Sequence, residues 1–314
     1  MIRIFGVAER DGTTLVNDPA TGLTHQPSQE LPPGRHHLDD AEVGRWPIIH
    51  SSACDGAVPV SVCWSPVTRC DLSCPHCLDD KHVTELGAAE RRRIARLIGA
   101  TGVLGVDIFG GEPLLLGDLT DLADELTSAG CVVSITTNGW QLDRRAARLA
   151  GHVDAVKVSL DGSTAPIHDA LRGKGAFKRA VAGIKAAVAA GLHVQVQSVL
   201  TASTRAHAQD LVRLAYRLGA GGVTFLQQPA LGEAVHLARR EVLSEQEAHA
   251  AVEALKVPAG FSASLRTRKE AGGFTVIRAN GHMWRNHRTI GHLETLQPLR
   301  TPADLTLSGP DGSA

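Results

Sequence analysis

The sequence predicts an α/β fold: a partial (β/α)6 parallel barrel with an N-terminal β-hairpin extension and a C-terminal α+β cap. Three observations predict it. Between residues 58 and 235, short Val/Ile-rich runs alternate with helical patterns, which implies right-handed βαβ units. Several of those runs carry polar residues at period two, so one face of each strand looks onto a wet interior rather than a second helix layer. The least ordinary sequences, CDLSCPHC, GGEP, TTNG and SLDG, stand at the C-terminal ends of the runs, where parallel α/β folds gather their chemistry.

Taken in order, residues 1–57 are rich in turns. A hairpin is expected about the Asp11–Gly12 pair, with a second turn at DPATG. QELPPGRHH reads as a linker and LDDAEVGRW as a short helix, and the whole extension is expected to cap the bottom or edge of the barrel. Strands are predicted at 58–67, 103–111, 131–139, 155–162, 192–201 and 222–229. Helices at 88–102, 118–130, 143–151, 176–191 and 207–220 separate them. Lys157, Ser159 and Asp161 share one strand face, as do Ser134, Thr136 and Asn138, and Gln195 and Gln197. These are the expected lumen residues. Residues 236–314 form the third region. It opens with a helix at 244–255, where Ser244 and Glu247 make a capping box, followed by strands about an Asn280–Gly281 turn and a flexible tail.

Hydrophobic residues make up 43% and charged residues 21% of the 314, an ordinary globular profile, and the formal net charge is −1. That balance supplies no field for nucleic acid or an anionic membrane. No apolar run approaches a membrane span, and the N-terminus has no basic region leading into an apolar one, so the expected setting is the cytoplasm. Six cysteines, three of them bunched, do not make a secreted disulfide framework.

Cys70, Cys74 and Cys77 are an awkward trio. Zinc would need a fourth ligand such as His82 or His76. A four-iron cluster held by three thiolates instead leaves one iron open. The spacing Cys70-x3-Cys74-x2-Cys77 resembles that of the radical S-adenosylmethionine (SAM) superfamily. GGEP (110–113), TTNG (136–139), SLDG (159–162) and HDALRG (168–173) continue the resemblance, which covers roughly residues 60 to 230. It implies one [4Fe–4S] cluster on the three cysteines, with SAM on the open iron. An external one-electron donor such as a flavodoxin or ferredoxin would start cleavage of SAM to a 5′-deoxyadenosyl radical, which abstracts a substrate hydrogen.

The same resemblance implies a SAM site made by His76, Gly110, Gly111, Glu112, Thr137, Asn138, Lys157, Ser159, Asp161, Arg172, Gln197 and Leu226. Glu112 is expected on the SAM ammonium and Arg172 on its carboxylate, with Gly110 and Gly111 letting backbone approach the ligand. His76 stands where the family often has an aromatic residue, and its planar ring can still stack.

The later strands resemble the branch containing molybdenum-cofactor, pyrroloquinoline-quinone and peptide-modifying enzymes. In the peptide-modifying members, a degenerate form of whose C-terminal hairpin is expected here, that hairpin carries cysteines for auxiliary clusters. No cysteine follows Cys131, so one cluster is expected and redox-neutral chemistry is favoured. The expected function is modification of a ribosomal peptide in specialised-metabolite biosynthesis. The alternative is epimerisation, elimination, rearrangement or decarboxylation of a sugar- or nucleoside-like small molecule; a third reading is a non-enzymatic Fe–S or zinc protein. The remaining thiols, Cys54, Cys63 and Cys131, are assigned no role, and His282, His287 and His292 read as surface or substrate contacts.

Overall fold

The computed structural model describes residues 1–49, 58–78, 81–227, 241–267, 275–285 and 294–306. Strands β1 (Ile2–Arg10) and β2 (Thr13–Asn17) form the predicted hairpin. Asp11 and Gly12 both take positive φ, 49° and 74°, the turn whose twist matches the flanking strands. The extension is larger than one hairpin. With β3 (Thr24–His25), β4 (Gly34–Asp39) and β5 (Ile48–Ile49) it completes a five-stranded antiparallel sheet, ordered β4-β1-β2-β3-β5. The GRHH segment, expected as linker, is therefore strand, because its backbone groups find partners along β1 from Val7 to Ile2. Helix α1 (Asp40–Val43) follows, capped by the Asp39 carboxylate accepting from Ala41 N–H.

Strands β6 (Ser61–Trp64), β7 (Gly105–Ile108), β8 (Val132–Thr137), β9 (Ala155–Ser159), β10 (Val194–Leu200) and β11 (Gly222–Gln227) are the six expected, parallel and in chain order. A seventh joins them. Residues of FSASLR pair along β11 as β12 (Ser262–Arg266), parallel, rather than entering the C-terminal hairpin. At the opposite edge β13 (Thr275–Ile277) lies parallel to β6. β14 (His282–Arg285) and β15 (Glu294–Pro298) then continue antiparallel from the predicted Asn280–Gly281 turn. The C-terminal strands thus extend the barrel's own sheet.

Helices α2 (Ala88–Gly99), α3 (Leu119–Ser128), α4 (Leu142–Leu149), α5 (Ala165–Arg172), α6 (Ala176–Ala189), α7 (Ala202–Arg205), α8 (Ala208–Arg217) and α9 (Glu245–Glu253) connect these strands. α5, with Pro166 in its first turn, falls where only a motif was expected. The predicted capping box on α9 forms, with Ser244 and Glu247 bonding each other's backbone N–H. Alternate strand residues face the helices. Val106, Ile135, Val156, Val196 and Phe225 belong to one buried cluster with Ile94, Leu122, Leu126, Ile184 and Leu211. Each such side chain contributes roughly 1.5–3 kcal/mol by leaving water. Among the described residues no helix is long and apolar enough to cross a membrane.

The N-terminal sheet closes the barrel at the N-terminal ends of its strands. Arg10 donates to the Val58 carbonyl, and the Arg35 guanidinium forks onto Asp154 at 2.8 and 2.7 Å while also donating to the Cys131 carbonyl. Within the sheet, buried Arg3 pairs with Asp18 at 2.8 Å and with Asp40. Burial alone would raise the Asp18 pKa. The Arg3 charge and hydrogen bond, with the Ala20 N–H and Thr21 hydroxyl, overcome it and hold the group at about 2.

A folded pKa below the unfolded one gives stability that is complete above the unfolded value near 3.8 and is lost as pH falls through about 2. Asp18→Asn is therefore expected to cost about 2 kcal/mol or more at neutral pH. The difference from wild type should shrink as the medium is acidified toward pH 2, read by urea unfolding across the pH range; a constant difference would refute it.

Candidate active site

The site is assembled from strand ends. After β6 the chain runs through Cys70, Cys74 and Cys77, whose thiols line one cavity of about 300 Å³. None of the described cysteines is in a disulfide. Burial pushes the Cys70 thiol up to about 11 and the Cys74 thiol in the same direction, so a bound metal cation is what would favour the thiolates. Among the described residues no three His, Cys, Asp or Glu groups converge as a single metal ion requires, which the zinc reading needs. A cluster whose irons each take their own thiolate does not ask for that convergence.

GGEP buttresses this loop. Gly111 N–H donates to the Val67 carbonyl at 2.7 Å and Glu112 N–H to the Arg69 carbonyl at 2.9 Å. A Cβ on Gly110, which has φ 119°, would run into the Val67 carbonyl and the Ser65 hydroxyl; one on Gly111 would strike the Thr68 and Arg69 carbonyls. Both glycines line the cavity, but the close approach they permit is to the cysteine loop.

Glu112 is fully buried at 0% exposure and does not line the cavity. Its carboxyl accepts from Thr137 Oγ1 (2.7 Å), Asn138 N–H (2.8 Å) and Leu114 N–H (3.0 Å). Burial raises its pKa to about 7 against the opposing effect of those donors. Asn138 then reaches back, its Nδ2 donating to Asp71 at 2.7 Å and lying 3.6 Å from the Cys70 sulfur. Three strand ends are thereby tied in a ring.

SLDG makes a second knot. Asp161, also behind the cavity wall, accepts from Arg172 Nε at 2.5 Å and from Val199 N–H at 2.8 Å. Its N–H donates to His168 Nδ1 at 3.0 Å. Burial would raise the Asp161 pKa, but Arg172 holds it at about 2. His76 approaches the same carboxylate at 3.6 Å, yet burial depresses its pKa to about 4, so it is a neutral ring and not an ion partner. Arg172 itself lines the cavity beside Cys74, its Nε committed to Asp161.

Of the residues named from sequence, Thr137, Asn138, Ser159, Gln197, Leu226 and His76 line the cavity with the cysteines, the glycines and Arg172. Glu112, Asp161 and Lys157 stand behind its wall. Lys157, 2% exposed, pairs with Asp107 at 3.2 Å, and Asp107 also accepts from Ser134 and Thr136 at 3.0 Å. Gln195 donates to Thr224 Oγ1. Asp107 escaped the sequence reading, although a lone Asp at the inward period of an apolar strand is the signal for it. Arg266 also lines the cavity and escaped because β12 was not recognised as a barrel strand. Cys63 lines it too, its thiol held near 11 by burial and Asp107. Cys131 is core, His282 is exposed, and Cys54, His287 and His292 lie outside the described residues.

A partial parallel barrel whose strand ends bring three thiols to one cavity defines a class of cofactor-dependent barrel proteins. Residues 64–215, just under half of the chain, match the model of the radical SAM superfamily. Mycofactocin maturase MftC of Mycobacterium tuberculosis is 35% identical over 169 residues, covering 52% of this chain and 43% of that one. Streptococcus suis SuiB bound to precursor peptide SuiA superposes with TM-score 0.67 at 17% identity, covering 82% of this chain and 66% of SuiB. Native anSMEcpe with bound AdoMet and the Cp18Cys peptide gives TM-score 0.61 at 15% identity, covering 78% of this chain and 79% of that one. The chain spans about half the length of the curated relatives it matches.

Gly111→Ala should push the cysteine loop off GGEP and cost roughly 1–3 kcal/mol by overpacking. Lower iron content per reconstituted chain is the readout, with Gly117→Ala, which meets nothing within 4 Å, as the unaffected control. Because the Glu112 pKa is raised from 4.5 to about 7, its contribution is complete below 4.5 and is lost as pH rises through about 7. Glu112→Gln should flatten that arm of the stability profile in calorimetry; an unchanged slope would reject the assignment.

Proposed function

We propose that the protein is a radical SAM enzyme that abstracts a hydrogen atom from a ribosomal peptide. The observation that carries the enzyme reading is the cavity itself, where three thiols, two glycines and the TTNG and SLDG ends meet inside the segment that matches the radical SAM model. The donor set fits the cluster. The cysteines are soft ligands held on one loop, and Asn138 Nδ2 near the Cys70 sulfur supplies the kind of outer hydrogen bond that tunes a cluster. When bound, cluster and SAM supply one-electron cleavage and a 5′-deoxyadenosyl radical, with the electron coming from an external flavodoxin or ferredoxin.

The chain's own residues hold and shield. Arg172 offers a cation to the SAM carboxylate while Asp161 fixes its orientation through Nε. His76, neutral and buried, offers a flat face beside Cys77. Glu112 acts from behind the wall, by holding TTNG against GGEP. Val199, Leu226 and Phe109 line the same space and limit water around a reactive radical. Support for a peptide substrate comes from the kinship with MftC and from the peptides present in the SuiB and anSMEcpe structures.

Cys70→Ala, Cys74→Ala and Cys77→Ala should each abolish both the cluster absorbance near ~400 nm and SAM cleavage. Any one of them cleaving SAM at the native rate would sink the ligand assignment. Anaerobic reconstitution should give about four irons per chain. A deuterated peptide encoded beside the gene should pass label into 5′-deoxyadenosine, and label arising only from a nucleoside or sugar would replace the peptide reading.

A further inference from the structure

Beneath the main cavity, between the lumen and the N-terminal sheet, lies a smaller space of about 30 Å³. It has room for about two water-sized groups. Cys63, Asp107 and Arg266 line both spaces, so the two meet at those side chains.

Both carboxylates around the smaller space are already engaged. Asp18 is taken by Arg3, the Ala20 N–H and the Thr21 hydroxyl. Asp107 is taken by Lys157, Ser134 and Thr136. The Arg266 guanidinium is left over, its side chain making no hydrogen bond or ion pair among the described residues. Its Nη1 lies at the floor, where a Cβ on Gly22 would come within 3.0 Å. A second donor is idle in the same chamber. Asn17 is 2% exposed, its Oδ1 presses on Gly105, and its Nδ2 has no partner. Both uncommitted groups are donors, so the chamber lacks an acceptor. A guanidinium presents its donors as a planar fork that matches the two oxygens of a carboxylate.

We propose that this floor chamber is a carboxylate subsite, in which Arg266 and the Asn17 amide receive a carboxylate that the substrate carries down the lumen. The inference rests on the peptide reading above and narrows it: the modified peptide presents an acidic side chain or its own C-terminal carboxylate to Arg266. Arg266 then acts in substrate specificity.

The test uses the anaerobically reconstituted holoprotein and sodium formate as probe, at constant ionic strength, with formamide as the neutral isostere. Formate should raise the wild-type unfolding temperature saturably and formamide should not. Arg266→Met should weaken the formate effect about tenfold or more. Arg266→Lys, which retains charge without the fork, should keep a smaller effect. The cluster spectrum should match wild type in both variants. An equal formate shift in Arg266→Met, or none in wild type, overturns the proposal. A second arm identifies the source of the carboxylate: formate should compete with the peptide in turnover, raising KM with kcat unchanged. Formate that stabilises through Arg266 without competing would show a free-anion site only and overturn the substrate clamp. Production of 5′-deoxyadenosine is measured in the same preparation, so wild-type holoprotein that fails to cleave SAM overturns the enzyme reading separately.

Discussion

The ring of hydrogen bonds joining the ends of β6, β7 and β8 is the constraint on which the site depends. Val67 and Arg69 carbonyls accept from the GGEP backbone, the Glu112 carboxyl accepts from Thr137 and Asn138, and Asn138 returns to Asp71 beside Cys70. No member of the ring is a metal ligand. Yet it decides where the loop bearing the three thiols can lie, because a cysteine loop held only at its ends would sample many positions at the entropic cost of each ordered residue. Glycine at 110 and 111 is what lets the backbones come close enough to close the ring. Burying a carboxyl group at its centre is unfavourable unless its oxygens are bonded, and three donors meet that requirement.

Three buried ion pairs organise the lumen and the sheet beneath it. Lys157 with Asp107, Arg172 with Asp161, and Arg3 with Asp18 are three such pairs, stacked from the mouth of the barrel to its floor. Ion pairs of this kind contribute little net stability, since desolvation consumes most of the attraction. They do orient. Asp161 fixes the Arg172 guanidinium at the cavity wall, and Asp107 prevents Lys157 from reaching into it. The parallel strands can carry this polar face because helices cover only the other one, a departure from the doubly covered sheets whose strands are apolar throughout.

The N-terminal sheet makes the lumen a closed vessel rather than a channel. Its forked contact from Arg35 to Asp154 and its packing of Gly6 against Leu104 and Val132 seal the strand starts. The floor chamber exists only because this sheet is present, with Asn17 and Gly22 contributed from outside the barrel. Substrate recognition at that depth would therefore depend on a segment that carries none of the cluster or SAM motifs.

The order of strands and helices from β6 to β11 was legible in the sequence, because hydrophobic period and turn residues are local properties. The cysteine trio and the strand-end motifs were legible for the same reason. The sequence marked Glu112 and Asp161 as candidates, but their burial behind the cavity wall was not visible in it, since that depends on which strand end their carboxyls meet. The five-stranded N-terminal sheet, the placement of β12 and β13 on opposite edges of the barrel, and the meeting of Arg266 with Asn17 were decided by tertiary structure alone. Strand pairing is a contact between residues distant in the chain, set by which edge remains open when the segment arrives. Local chemistry determined what each segment is; long-range edge pairing decided which side chains face one another across the lumen.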